Sequence, residues 1–307
     1  MTHILTDQQR EKFYALRNLI SISTFGQEIP QNHYDLDRFN FCFSVSSTMH
    51  DTSPSEFLDR CRIWFSPDNE PFAAIVTEGE NSGEAFFVCN AQKVSGGTAE
   101  EMLEFAARAC STSDNGVTTS AIRVADSQSE VLNLLAERGY IQGEWSEPYS
   151  GLTLNQNHDT PPVIPRGVEL RDGRHISPQD KGLCHSQAFQ YAGNVMYEER
   201  IVTGFSRMQE MPDYMPFLDL AIVSPGGQIA SIMSFWYDPV NRRAHLEPAA
   251  TAPEFQGMGF GRALIQEGAR RLRQLGARRI LVGSDMKFYL RAGFELLHKT
   301  PVYVKTW

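Results

Sequence analysis

The chain has 307 residues, about twice a modal domain, with 41% hydrophobic and 21% charged residues, which excludes disordered, collagen-like and membrane-embedded classes. No apolar run approaches the roughly 18 residues of a membrane span, and the polar stretch Met1–Phe13 is unlike a secretion signal, so a cytoplasmic location is expected. The net charge of −9 argues against nucleic acid and anionic membranes as partners, and five scattered cysteines (Cys42, Cys61, Cys89, Cys110, Cys184) without a CxxC pair suggest neither disulfides nor a metal.

In the first half, Phe72–Val76 and Glu84–Cys89 read as strands, Glu100–Cys110 as a helix, Thr118–Val124 as a strand and Glu130–Arg138 as a helix ended by Gly139. The segment Asn155–Gly167 (NQNHDTPPVIPRG), with three prolines, reads as an interdomain linker, giving domains 1–157 and 167–307 joined by 158–166. Beyond it, Val168–Arg171 is a strand candidate, and Gln179–Tyr191 and Tyr197–Met211 are helices. Leu218–Val223 and Ile229–Tyr237 form a hairpin turned by Gly226–Gly227, and Ala244–Ala250 is a further strand. Gly261–Leu275 is an amphipathic helix with Gly276 at its C-cap. Ile280–Val282 is a buried strand, Met286–Ala292 a short helix, and Phe294–Lys305 a pair of strands interrupted by Pro301. The order repeats, and AERGY at Ala136–Tyr140 echoes LRAGF at Leu290–Phe294, which implies a duplicated domain.

The segment Gln256–Arg262 (QGMGFGR) joins strand to helix, and its three glycines let successive N–H groups and the helix N-terminus converge on one spot suited to phosphate. It is neither the GxGxxG dinucleotide fingerprint nor a P-loop, which needs GK[ST]. It matches Q/R-x-x-G-x-G/A at Gln256, Gly259 and Gly261, the pyrophosphate loop of the GCN5-related N-acetyltransferases. LEPAATAPEFQGMGFGRALI resembles the fourth strand, loop and third helix of that superfamily, and FYLRAGFELL resembles its fourth helix and following strand. With the weaker copy in front, the chain resembles its tandem members. The resemblance implies an α/β (α+β) fold of two tandem domains, each with a mixed, mostly antiparallel sheet flanked by helices. It further implies splayed strands that form a CoA cleft in the C-terminal copy, acetyl-CoA as co-substrate, and direct transfer of acetyl to an amine.

On that resemblance, Gln256, Gly257, Met258, Gly259, Phe260, Gly261 and Arg262 would bind the cofactor, with backbone groups of Ala250 and Thr251 bonding its pantetheine arm and an N–H there polarising the thioester. Pro248 cannot donate to a ladder and marks where the strand parts, although an edge-strand proline predicts the same irregularity. An amine near pKa 10 must lose a proton before attack. Glu247 and His245, two apart and so on one face, are the base candidates, acting directly, through water or as a relay; a solvated strand residue remains the alternative for His245. Tyr289, four residues before Gly293, matches the family's YxxxGF tyrosine and would protonate the departing thiolate, with Phe288 beside it taking the core position. The lead-in Gly283-Ser284-Asp285 is shorter than in many relatives.

Laid over RAHLEPAATAP, the first-half segment EAFFVCNAQKV (Glu84–Val94) puts Phe86 at His245 and Val88 at Glu247, and Leu135 falls where Tyr289 stands. Val94–Met102 lacks the glycine pattern, so the first domain reads as a non-catalytic copy that braces the second. Residues 1–157 carry 10 Lys/Arg against 22 Asp/Glu, net −12, and 158–307 carry 18 against 15, net +3; the mildly basic half suits a polyanionic cofactor and the acidic half a cationic acceptor. Trp236, Tyr237, Asp238, Tyr191 and Phe189 are acceptor-side candidates, each equally able to be core or rim. Arg270, Arg271, Arg273, Arg278 and Arg279 read as a solvated helix end. The expected activity is acetylation of a primary amine, on a small molecule or alternatively on a protein N-terminus or lysine, with a non-catalytic acyl-CoA sensor as the rival class; the oligomeric state is not legible.

Overall fold

The computed structural model describes residues 5–27, 30, 34–80, 83–89 and 94–307; Asn90–Lys93 of the overlay above lie outside them. Two compact units form, Met1–Tyr149 with Leu297–Trp307, and Ser150–Leu296.

The first unit begins with α1 (Asp7–Ser23), started by a capping box between Thr6 and Gln9, then α2 (Leu36–Phe41), a π-helical stretch Cys42–Ser46, α3 (Ser47–Met49) and α4 (Pro54–Asp59). There follow β1 (Arg62–Phe65), β2 (Pro71–Val76), β3 (Glu84–Cys89), α5 (Gly96–Ala109), β4 (Thr112–Asp114), β5 (Val117–Arg123), α6 (Ser129–Glu137) and β6 (Ile141–Thr153). Strands β1, β2 and β3 run antiparallel, whereas β3 and β5 pair in parallel through Ala85↔Ile122 and Phe86↔Arg123. Phe87, Ile122, Met102 and Leu135 are among the core residues between sheet and helices.

The second unit contains β7 (Glu169–Asp172), α7 (Pro178–Ala188), α8 (Val195–Gln209), β8 (Asp219–Val223), β9 (Ile229–Asp238), β10 (Arg243–Thr251), α9 (Phe260–Gln274), β11 (Arg279–Val282), α10 (Lys287–Arg291) and the start of β12 (Glu295–Thr306). Its strands β7 to β10 are antiparallel, and β10 and β11 are parallel. Side chains alternate across the sheet. Phe235, Tyr237 and Leu246 pack with Leu264 and Leu272 of α9, and a Cβ at Gly268 would lie 2.2 Å from the Phe235 ring, so α9 lies very close to the sheet. The opposite face carries Ser234, which meets Lys181 of α7 at 2.9 Å.

The contiguous division at 158–166 differs from this. Phe294–Lys305 is one long strand rather than two, and Pro301 does not break it. Its end, Tyr303–Thr306, pairs with β5 and closes the sheet of the first unit, while Ser150–Thr153 of β6 pairs with β11 and closes that of the second. Each sheet therefore takes its last strand from the other half of the sequence. The proline-rich Asn155–Gly167 belongs to the second unit rather than standing between two domains. Asp159 pairs with Arg273 at 2.6 Å, Gln266 donates to the Thr160 carbonyl, and Ile164 packs on the core.

Candidate active site

The parallel pairing of β10 with β11 stops at His245↔Leu281, although β10 continues to Thr251 against β9. Past His245, β10 therefore makes no further ladder pair with β11, which is the opening expected near Pro248. The register against β9 shifts between Leu246 and Ala249, placing a bulge at Glu247-Pro248. The Glu247–Pro248 peptide is cis. Ala252 donates its N–H to the Ala230 carbonyl on β9, so ladder alternation turns Ala250 toward β9 and Ala249 and Thr251 toward the opening. Ser231 Oγ also donates to the Ala250 carbonyl, at 3.1 Å. Of the two backbone positions expected to bond a ligand, Thr251 is the one so directed.

Beyond β10, Gly257 and Gly259 adopt left-handed φ of +79° and +82°, which L side chains rarely take, and nothing lies within 4 Å of where their Cβ atoms would be. Gly259 is the N-cap of α9 and offers no side-chain cap, so the first-turn N–H groups remain directed at the loop. The corresponding helix of the first unit, α5, has a Ser95 cap that accepts from the Thr98 N–H. Gly261 serves a different purpose, because a Cβ there would approach the Phe288 ring to 2.8 Å, so this glycine lets α10 pack on the first turn of α9. Gln256 donates its amide to the Thr251 carbonyl at 3.2 Å and ties loop to strand. Met258 and Arg262 are exposed, whereas Phe260 points into the core, where only its backbone could serve a ligand.

His245 and Glu247 do share a face, with His245 Nε2 3.6 Å from Glu247 Oε2. The imidazole is buried and the carboxylate side chain is 37% exposed, so the carboxylate is the one within reach of an incoming molecule. Tyr289 is 9% exposed and packs edge-on against Phe288 and Phe294, while Phe288 is 39% exposed. The expected order of the two rings is therefore reversed. Burial first, and the Glu247 charge second, push the Tyr289 phenol up to about 12, so the phenol and the carboxylate sense one another.

The acceptor-side candidates separate. Tyr237 lies in the core under α9 and donates its hydroxyl to the Leu275 carbonyl. Asp238 is 1% exposed, accepts from the N–H groups of Val240 and Asn241 and from the Asn241 amide, and lies 3.9 Å from the buried Arg243 guanidinium, so it shapes the β9–β10 turn and is not open to an acceptor. Trp236, on the His245 face, donates its indole N–H to the Glu247 carbonyl at 2.9 Å. Tyr191 is half-buried between α7 and α8, its hydroxyl 2.5 Å from His185 Nδ1, and exposed Phe189 stacks on the same imidazole. A deeper polar network that sequence reading missed joins Lys181 to Asp219 (2.6 Å) and Ser234, with Tyr214 donating to Asp219. Its members are far apart in sequence and carry no motif. Of the arginine cluster, Arg270 and Arg271 pair with Glu267, and Arg273 with Asp159. Among the described residues, no three His, Cys, Asp or Glu side chains are placed to hold a metal ion, and no helix is long and apolar enough to cross a membrane.

In the first unit, the equivalent parallel pair places Phe86 at the His245 position, and Val88 at that of Glu247 is buried. Arg123 follows at the position of Leu281, bound to Glu84 and Glu147 at 3.0 and 2.5 Å.

The second unit thus brings together an opened parallel pair, a glycine loop and an uncapped helix N-terminus. Residues 186–294, about a third of the chain, match the model of the acetyltransferase (GNAT) family. Its fold is similar to that of a tandem GNAT protein from the clavulanic acid biosynthesis pathway (TM-score 0.62, 13% identity, 98% of this chain and 97% of that one). It is also similar to a GCN5-related N-acetyltransferase from Sphaerobacter thermophilus (TM-score 0.58, 15% identity, 95% and 91%). A stretch of 50 residues is 44% identical to the uncharacterized N-acetyltransferase YjhQ of Escherichia coli strain K12, covering 16% of this chain and 28% of that protein.

Proposed function

We propose that the second unit transfers acetyl from acetyl-CoA to a primary amine of a small molecule, with Glu247 as base and Tyr289 as acid, and that the first unit is a non-catalytic copy. The observation that carries this reading is the carboxylate at the opening of β10, whose charge acts on a buried phenol, in the same unit as a glycine loop that leads into an uncapped helix N-terminus. The N–H groups of the first turn of α9 and the left-handed Gly257 and Gly259 fit a pyrophosphate, and the Thr251 edge fits an extended amide-bearing arm. Bound acetyl-CoA supplies the thioester.

Glu247 removes a proton from the acceptor ammonium, with His245 behind it to pass the proton on. The amine forms the C–N bond as the C–S bond breaks, Tyr289 gives its proton to the sulfur, and the second proton of the new amide nitrogen returns to the Tyr289 phenolate. A phenol raised to about 12 is a reluctant acid while Glu247 is charged. Burial, the larger cause, stays, but once Glu247 has taken up its proton the second raising influence is gone, and the phenol is a somewhat stronger acid as the thiolate departs. Ser95 on α5, together with Phe86, Val88 and the paired Arg123, supports the non-catalytic reading of the first unit, because its helix N-terminus is capped and neither base position carries a proton acceptor.

The test is release of CoA thiol from acetyl-CoA against a panel of primary amines. A wild-type chain accelerates release with at least one amine, and Glu247→Gln and Tyr289→Phe each lower kcat by roughly 10²–10⁴-fold with little change in the KM for acetyl-CoA. Binding of acetyl-CoA without acceleration by any amine would identify a sensor, and turnover only with peptide amines would identify a protein acetyltransferase.

A further inference from the structure

The bulge on β10 has a structural consequence for Glu247. Leu246 faces Phe235 and Ala249 faces Met233, so β10 fits one residue more than β9 between these pairs. A bulge takes backbone groups out of the ladder, and a carbonyl withdrawn from water without a donor is destabilising. The indole N–H of Trp236, 2.9 Å away, takes the Glu247 carbonyl instead. Trp236 lies directly across from His245 and is 2% exposed, so its ring is fixed by packing. An indole is donor only, which holds the carbonyl without offering a proton acceptor in competition with the carboxylate.

We propose that Trp236 is a positioning residue: its indole, bonded to the Glu247 carbonyl, fixes the bulge and so directs the Glu247 carboxylate, 3.6 Å from His245, toward the acceptor amine. This rests on the acetyltransferase reading above and replaces the acceptor-binding role expected of Trp236. A base displaced by about 1 Å loses on the order of 10²-fold in rate, so partial release of the bulge costs a substantial part of that.

The experiment is a double-mutant cycle, read as CoA thiol release from acetyl-CoA with the amine that the wild type accelerates most. Trp236→Phe keeps the ring and removes the donor; it lowers kcat about 10-fold, leaves the KM for acetyl-CoA within about twofold, and shifts the acid limb of the kcat profile. In a Glu247→Gln background, the same change costs less than about twofold, because the group it positions is gone. An equal loss in both backgrounds, an unchanged kcat, or a loss carried by the KM for acetyl-CoA overturns the role while leaving the acetyltransferase reading intact. A wild-type chain that accelerates no amine overturns both. If Trp236→Phe does not fold, the wild-type chain labelled with 15N-tryptophan gives the answer. The Trp236 indole resonance moves with pH in step with the acid limb of kcat, and a resonance indifferent to pH across that limb overturns the proposal.

Discussion

Gly261→Ala separates the two purposes a motif glycine can have. Inside a helix, alanine is favoured over glycine by up to roughly 1 kcal/mol. The new Cβ, however, would lie 2.8 and 3.1 Å from two atoms of the Phe288 ring, and overpacking of that kind costs about 1–3 kcal/mol. The net expectation is a loss of about 0–2 kcal/mol. Phe288 is the neighbour that must yield, and since it packs edge-on against Tyr289 within the five-residue α10, the displacement reaches the phenol. Urea unfolding of Gly261→Ala in the wild-type and Phe288→Ala backgrounds gives the coupling directly. With the ring removed, the alanine becomes stabilising, and the two changes couple by about 1–3 kcal/mol. If Gly261→Ala stabilises equally in both backgrounds, the glycine is not there for Phe288 and the packing argument fails.

Two pH effects follow from buried groups. Burial, aided by the Lys181 charge, pushes His185 down to about 3, against about 6.5 in an unfolded chain. Its contribution to stability is therefore complete above about pH 6.5 and is lost as pH falls toward 3, so His185→Phe flattens the decline of Tm in that window; a wild-type slope retained in the variant would count against it. The slope removed is at most about 1.4 kcal/mol per pH unit. Tyr289, raised to about 12, keeps its proton through the neutral and mildly alkaline range. Glu247→Gln removes the second of the two causes of that rise, so the alkaline limb of its residual kcat moves to lower pH; an unmoved limb would show that the two groups do not sense one another.

Local signals in the sequence read well where the backbone alone decides. Gly257, Gly259, Gly276 and Gly293 all take left-handed φ, as a loop and helix ends require, and His245 and Glu247 share the face that period-two alternation gives them. The misreadings arise where distant partners decide. Pro301 looks like a strand break, but β12 continues past it to an antiparallel partner in β5, more than 170 residues earlier. Asp238 reads as an acceptor-side candidate, but the turn N–H groups of Val240 and Asn241 and the Arg243 guanidinium occupy it. Phe288 and Tyr289 exchange roles because Gly261 leaves room on α9 for the phenylalanine, a contact no local pattern records. The bond from Trp236 to the Glu247 carbonyl exists only because β10 bulges, and composition does not show in which direction a bulged carbonyl turns.

The most direct test of the central claim is hydrogen–deuterium exchange of the full chain with and without acetyl-CoA. The account predicts protection concentrated in Thr251–Arg262 of the second unit, with Val94–Met102 of the first unchanged. Protection in Val94–Met102 with none in Thr251–Arg262, or no protection at saturating acetyl-CoA, would contradict it.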